Sequence, residues 1–267
     1  MLSRIPEELL RKMQLDNFFN KYPRVAIAFS GGSDSAFLAY SALKYAKEVR
    51  AYFVKTAFQP EFEYQDAIRF TNEYSLDLKV IELDILSEEE VVCNPSNRCY
   101  YCKKKIFSVI SKAVKEDGFE VILDGSNASD DASDRPGMKA LEELKVLSPL
   151  RMCNLTKDDI RRLSKEANLF TWNKPSYACL ATRVPSNVRI TKDIIDKTEK
   201  AEAYLSSLGF NDFRVRYRDG KALIQLVEEQ FDLYHQKEDK IKTVLLRDYQ
   251  DILLDSKPRI KTVGIIE

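Results

Sequence analysis

Apolar residues in the first two thirds of the chain come in short runs, with amphipathic stretches between them. Val25-Ala-Ile-Ala-Phe29 is continuous in apolar character and too short for a helix, as a strand buried on both faces requires. Residues 49–54, 78–83, 119–124 and 146–150 predict further strands. Helices are predicted over 6–20, where Leu9, Leu10, Met13 and Phe18 lie at helical spacing, from Ala36 to Leu43, and over 61–74 and 98–115. Thr156-Lys-Asp-Asp159 resembles a capping box and opens a helix expected to reach about residue 168. Strands alternating with helices of this length predict an α/β fold, a doubly wound and mostly parallel sheet covered on both faces.

After Pro185 the texture changes. A charged amphipathic helix over 191–207 stops at Gly209. Phe213–Tyr217 and Lys221–Leu226 alternate in polarity around Asp219-Gly220, a strong hairpin signal. A further helix and short strands follow. The expected organisation is a first domain over 1–186 and a smaller α+β domain over 187–267, for substrate or oligomer contacts.

The turn after the first strand carries the densest chemistry. Ser30-Gly-Gly-Ser-Asp-Ser35 lies between a strand and a helix start. Gly31 and Gly32 let the backbone fold tightly and bring its N–H groups close to an anion. The helix end adds unpaired donors and partial positive charge, and Ser30, Ser33 and Ser35 add hydroxyls. The bland alternative is an ordinary turn with capping serines. The segment is not a Walker A loop, which needs a Lys-Ser/Thr pair after the second glycine. It resembles instead the PP-loop of ATP pyrophosphatases, which implies attack on the α-phosphate of ATP with pyrophosphate leaving. Asp34 would then serve Mg²⁺ or the phosphates' ordered water.

Composition narrows the classes. Lys and Arg together number 42, and so do Asp and Glu, which argues against a protein that lives on nucleic acid. No apolar run approaches a membrane span, and the N-terminus lacks a secretory apolar segment, so a cytoplasmic location is expected. Five cysteines without an export signal argue against a disulfide framework. Cys99-Tyr-Tyr-Cys102 opens a predicted helix, and its spacing puts both sulfurs on one face. Such a pair fits a metal or cluster site, a redox dithiol or a zinc half-site. A structural zinc needs four ligands, and the single histidine, His235, reads as a surface residue of a distant helix. Cys93 and Cys153 have no partner spacing and read as packed or incidental thiols.

Several motifs occur in a fixed order. After the PP-loop come Arg98-Cys-Tyr-Tyr-Cys-Lys103, Asp124-Gly125-Ser-Asn127, Asp134-Arg-Pro-Gly137, Ser148-Pro-Leu150, Trp172-Asn-Lys-Pro175, Cys179-Leu-Ala-Thr-Arg183 and Arg214-Val-Arg216. Together they resemble the LarE family, ATP-dependent sulfur transferases of nickel-pincer cofactor biosynthesis. The resemblance implies adenylation of a carboxylate of a pyridinium biscarboxylic acid mononucleotide, then displacement of AMP by sulfur. Cys99, Cys102 and Cys179 match the members whose three cysteines hold a [4Fe-4S] cluster. A small-molecule carboxylate acceptor, a sulfide source and a homo-oligomer are the implied partners. Lys103 could offset phosphate charge, or be a solvated lysine. Arg183, Arg214 and Arg216 could bind a substrate phosphate or carboxylate. Asp130, Asp131 and Asp134 could help hold Mg²⁺. Gln225 stands where the family pattern has a glutamate, and the C-terminal ending and the stretch after Arg183 also depart from it, which leaves the acceptor open. The competing readings are a cluster-dependent tRNA thiolation enzyme, a PP-loop amide-forming ligase, and a nucleotide-binding module that does no chemistry.

Overall fold

The computed structural model describes residues 7–130 and 135–260. Contacts divide the chain into two compact units. The first comprises residues 1–56, 61–83 and 97–174, and the second 57–60, 84–96 and 175–267.

In the first unit, β1 (Arg24–Ala28), β2 (Glu48–Lys55), β3 (Asp77–Glu82) and β4 (Ile122–Leu123) form one parallel sheet in the order β3-β2-β1-β4. Ile27 stands opposite Ala51 and Leu123, which fixes the register at the centre. The helices are α1 (Glu7–Lys21), α2 (Ser33–Tyr45) and α3 (Glu61–Glu73), then, past the second unit's α4 (Glu89–Val92), α5 (Arg98–Glu116), α6 (Arg135–Glu143), α7 (Pro149–Met152) and α8 (Lys157–Glu166). The expected strand over 146–150 is reduced to a single bridge, Leu147 to Leu123, because Pro149 starts α7.

Neighbouring strand residues face opposite layers. Val25, Ile27, Ala51 and Phe53 pack with Phe19, Leu38, Phe70 and Leu163. Ala26, Tyr52 and Val54 pack with Phe107, Ile110, Val114 and Leu141. The sheet is therefore buried on both sides, which explains why its strands read as unbroken apolar runs. Each fully buried large apolar side chain contributes about 1.5–3 kcal/mol.

In the second unit, β5 (Arg214–Arg218), β6 (Lys221–Gln225) and β7 (Ile252–Leu254) form a mixed sheet, with β5–β6 the expected hairpin and β6–β7 parallel. Val215, Ala222, Ile224 and Ile252 pack against α9 (Lys192–Ser207) and α10 (Phe231–Leu245) through Ala201, Leu205, Tyr234 and Ile241. Alternation leaves Arg214, Arg216 and Arg218 on the other face of β5. The expected domain break at 187 falls inside this unit, which also gathers the two earlier segments.

Candidate functional site

The PP-loop leaves the carboxyl end of β1, where parallel sheets bind ligands. Gly32 caps α2, and its carbonyl accepts from the Ala36 N–H at 2.9 Å. Gly31 has φ +72°, and an added Cβ would lie 2.8 Å from the Glu63 carbonyl oxygen of α3. Gly125, after β4, backs onto the loop; a Cβ there would meet the Ser35 nitrogen at 2.9 Å. Ser35 Oγ donates to the Gly32 carbonyl at 3.1 Å and accepts from the Ser30 N–H at 3.3 Å. Ser30 and Ser35 hydroxyls are 3.1 Å apart. The loop is thus a tight ring of hydroxyls and amides, set between two glycines that no other residue could replace without shifting backbone.

Two lysines converge on it. Lys157 is the first residue of α8, whose N-cap Thr156 forms the full capping box with Asp159. Its Nζ donates to Asp34 Oδ2 at 2.7 Å, Asp34 Oδ1 at 2.8 Å and Ser33 Oγ at 2.8 Å. Lys174 Nζ pairs with Asp66 at 2.6 Å and donates to the Gly31 carbonyl at 3.2 Å. Burial pushes the Asp34 carboxyl up from its ordinary value, and Lys157 only partly counters this. Asp130, from the expected acidic cluster, accepts from the Asn127 N–H at 2.7 Å. Asp131 and Asp134 lie outside the described residues.

Cys99 and Cys102 sit at the start of α5, both half-buried. The guanidinium of Arg98 reaches Cys99 Sγ at 3.9 Å. Lys103 is half-buried on the same helix. Cys179, in the second unit, is also half-buried and caps a short 3-10 turn, Leu180–Arg183. Among the described residues no three His, Cys, Asp or Glu side chains gather as a metal site. Cys93 is exposed; Cys153 is buried, and burial pushes its thiol up to about 11.

The second unit holds a pocket of about 450 Å³ lined by Tyr177, Thr182, Arg183, Arg214, Arg216 and Arg259, among others. Arg183 is fully buried and bonds Glu202 twice, Nε to Oε1 at 2.7 Å and Nη2 to Oε2 at 3.1 Å. Burial alone would lower its pKa, but Glu202, with Tyr177 and Cys179, more than offsets that, and the guanidinium stays charged. Tyr177 donates its hydroxyl to Glu202, and its ring lies 4.6 Å from the Arg183 guanidinium and 5.0 Å from that of Arg214. Arg214 donates to the carbonyls of Phe213 and Ser176, both at 2.6 Å. Arg216 donates to the Thr182 carbonyl at 2.7 Å and to Gln225 Oε1 at 2.5 Å. Neither has a carboxylate on its guanidinium among the described residues. Burial, with the charges of Arg183 and Arg259, pulls Arg214 down to about 10.

No protein-family model matches the chain. A pyridinium-3,5-bisthiocarboxylic acid mononucleotide synthase of Lactiplantibacillus plantarum is 33% identical over 207 residues, 77% of this chain and 75% of that protein. The chain belongs to the LarE family. An uncharacterised protein of Methanocaldococcus jannaschii is 33% identical over 234 residues, 88% of each chain. A tRNA-specific 2-thiouridylase of a Thermotoga species is 25% identical over 195 residues, 57% of this chain and 54% of that one. As a LarE-family member, the protein falls among the PP-loop enzymes that use ATP for adenylation and sulfur transfer.

Within this LarE-family chain the structure brings Ser30, Gly31, Gly32, Ser33, Asp34 and Ser35 into one loop, with Gly125 packed against it. It also brings Arg183, Arg214 and Arg216 to one pocket. Lys157, Lys174, Tyr177, Glu202 and Arg259 are additional. The capping box marked position 157 as a helix start, which fixes where that side chain emerges but not what it faces. Nothing local in the sequence singles out Glu202 in the middle of α9, because its partner Arg183 lies on another element.

Proposed function

We propose that the protein adenylates a carboxylate of a small anionic acceptor, a pyridinium biscarboxylic acid mononucleotide, and then exchanges the adenylate for sulfur. The observation that carries this reading is the arginine-lined pocket. ATP use is common to the superfamily, whereas two guanidiniums satisfied only by carbonyl and amide oxygens suit a compact anionic acceptor. In the first step the acceptor's carboxylate oxygen attacks the α-phosphorus of ATP and pyrophosphate leaves. In the second a sulfur nucleophile adds to the acyl carbon and AMP leaves, giving a thiocarboxylate. The loop amides and hydroxyls bind the phosphates, and Lys157 offsets the charge that builds on them. Lys174 fixes the loop through Gly31. Asp34, once released from Lys157, offers an oxygen ligand of the type Mg²⁺ prefers.

The donor chemistry fits an iron–sulfur cluster. Cys99 and Cys102 lie one helical turn apart, and all three cysteines, Cys179 included, are half-buried. Held by these three, a [4Fe-4S] cluster would supply sulfide for the second step. Lys103 and Arg98 would lower the cost of thiolate charge at the start of α5.

The test is anaerobic purification with iron and acid-labile sulfide analysis, on wild type and on Cys99→Ala, Cys102→Ala and Cys179→Ala. About four irons per chain, lost in each variant, is expected. Zinc, or no metal after anaerobic reconstitution, would sink the cluster. Pyrophosphate release with a pyridine dicarboxylate mononucleotide is expected to survive in the cysteine variants. Salt-sensitive tRNA binding would favour tRNA thiolation instead.

A further inference from the structure

The first unit holds a cavity of about 260 Å³ that the PP-loop chemistry does not use. It lies among the later turns of α2 and α8. Phe37 and Ser41 of α2, Leu163 of α8, Leu155 just before α8 and Leu15 of α1 line it, and all five are buried. An apolar cavity of about 150 Å³ stays dry and admits benzene. This one is larger and has room for a fused pair of rings. Ser41 is only 3% exposed, lines the cavity and makes no side-chain hydrogen bond among the described residues. A hydroxyl so buried calls for a partner, and the cavity is where one can stand. Lys44 and Glu166 also line the cavity, but they are exposed and so mark its mouth. They carry one charge of each sign, and Glu166 is paired with Arg162 at 3.7 Å. The mouth therefore offers an occupant no net charge, which selects a neutral molecule over an ion.

The helices that wall the cavity also carry the two sides of the PP-loop's ion pair. Asp34 lies in the first turn of α2 and Lys157 is the first residue of α8. Lys157 Nζ donates to both Asp34 oxygens, at 2.7 Å and 2.8 Å. Ser41 and Leu163 come seven and six residues later, about 10 Å along their helices. For Asp34 to accept Mg²⁺, Lys157 must leave it, so α8 must give against α2. Close-packed helices have little room to do so, and the cavity is the slack between these two. An occupant takes up that slack.

We propose that this cavity is an effector site for a small neutral aromatic molecule, one or two fused rings with a single hydrogen-bonding group that meets Ser41. Its occupant holds Lys157 on Asp34 and weakens ATP binding. The effect on ATP rests on the reading of the loop given above, whereas occupancy of the cavity needs neither ATP nor a cluster.

The experiment is calorimetric titration of the full chain with indole, and with ATP in the absence and presence of saturating indole. Wild type is expected to bind indole. Saturating indole is expected to raise the Kd for ATP about fivefold, and ATP to raise the Kd for indole by the same factor. Ser41→Ala keeps the space and removes the hydroxyl; it is expected to weaken indole binding about fivefold and to leave ATP binding without indole unchanged. Ser41→Leu also fills part of the space and is expected to abolish indole binding, with a thermal melt to show that the chain is folded. If Ser41→Leu does not fold, Ser41→Ala decides. No binding of indole by wild type, or unchanged binding in the folded variants, overturns the site. An ATP affinity that saturating indole does not move overturns its effector role. Indole binding by a chain that binds no ATP would leave the cavity's ligand standing and remove the ATP reading of the loop.

Discussion

At the scale of single residues, the decisive feature is a carboxylate and a lysine sharing the mouth of the PP-loop. Asp34 titrates above its ordinary value because burial opposes its charge more than Lys157 supports it. A raised carboxyl pKa means that the folded state holds its proton more tightly than the unfolded chain. Stability therefore falls as pH climbs through the carboxylate range, and the penalty is full at neutral pH. Asp34→Asn is expected to be more stable than wild type at pH 7, an advantage that disappears in acid, while losing pyrophosphate release. Denaturant melts at several pH values check the first part, and a pyrophosphate assay the second. Lys157→Ala is expected to lower the rate of pyrophosphate release roughly a hundredfold. Glu202 has the opposite kind of role. It holds the buried Arg183, the Val215 N–H at 2.9 Å and the Tyr177 hydroxyl. Glu202→Leu leaves a guanidinium buried without its counter-charge and is expected to cost about 3–5 kcal/mol in a urea melt.

At the scale of elements, local sequence rules account for much of the architecture. Apolar runs gave the strands of the central sheet, and the alternation around Asp219-Gly220 gave the hairpin, whose Asp219 and Gly220 both have positive φ. The capping box at Thr156 is formed as its spacing suggests. Thr156→Ala is expected to cost about 1 kcal/mol and, because α8 presents Lys157, to raise the KM for ATP as well. Gly31→Ala is expected to cost about 2 kcal/mol or more, since it faces both a left-handed backbone and the Glu63 carbonyl. Thermal melts and ATP titration measure both. What local rules did not reach depends on contacts between distant segments. The strand over 146–150 had the right composition, but a proline at position 149 turned it into a helix start after one bridge. Lys174 lies in a loop whose sequence says nothing of Asp66 or Gly31. Where a glutamate was expected, Gln225 stands as a neutral bridge: its Oε1 accepts from Arg216 and its Nε2 donates to Asp255. That bridge is invisible until β6 and the segment after β7 are seen side by side.

At the scale of the whole molecule, the candidate site residues are divided between two units, each with its own core. The PP-loop and the Cys99–Cys102 pair belong to the first, and Cys179 and the arginine pocket to the second. The second unit is assembled from three pieces of chain. The Leu180 N–H donates to the Phe58 carbonyl at 2.9 Å. The buried Asn94 amide donates to the carbonyls of Pro185 at 2.7 Å and Val188 at 3.1 Å. A fragment covering only residues 175–267 lacks these partners and is expected to show no cooperative melt by circular dichroism, although it contains both sheet and helices.

That three-piece construction also has a meaning in time. A ribosome delivers residues 57–60 and 84–96 long before the segment from 175 onward exists. During that interval Val91, Val92 and Asn94, nearly fully buried in the finished protein, have no surface to fold against. The growing chain must carry an apolar loop in the open while its first sheet is already closing, which is the interval in which a chaperone would find most to hold. The same wiring constrains descent. A unit made of three separated pieces of chain cannot be exchanged by a single gene fusion, so the PP-loop and the arginine-lined pocket are inherited together.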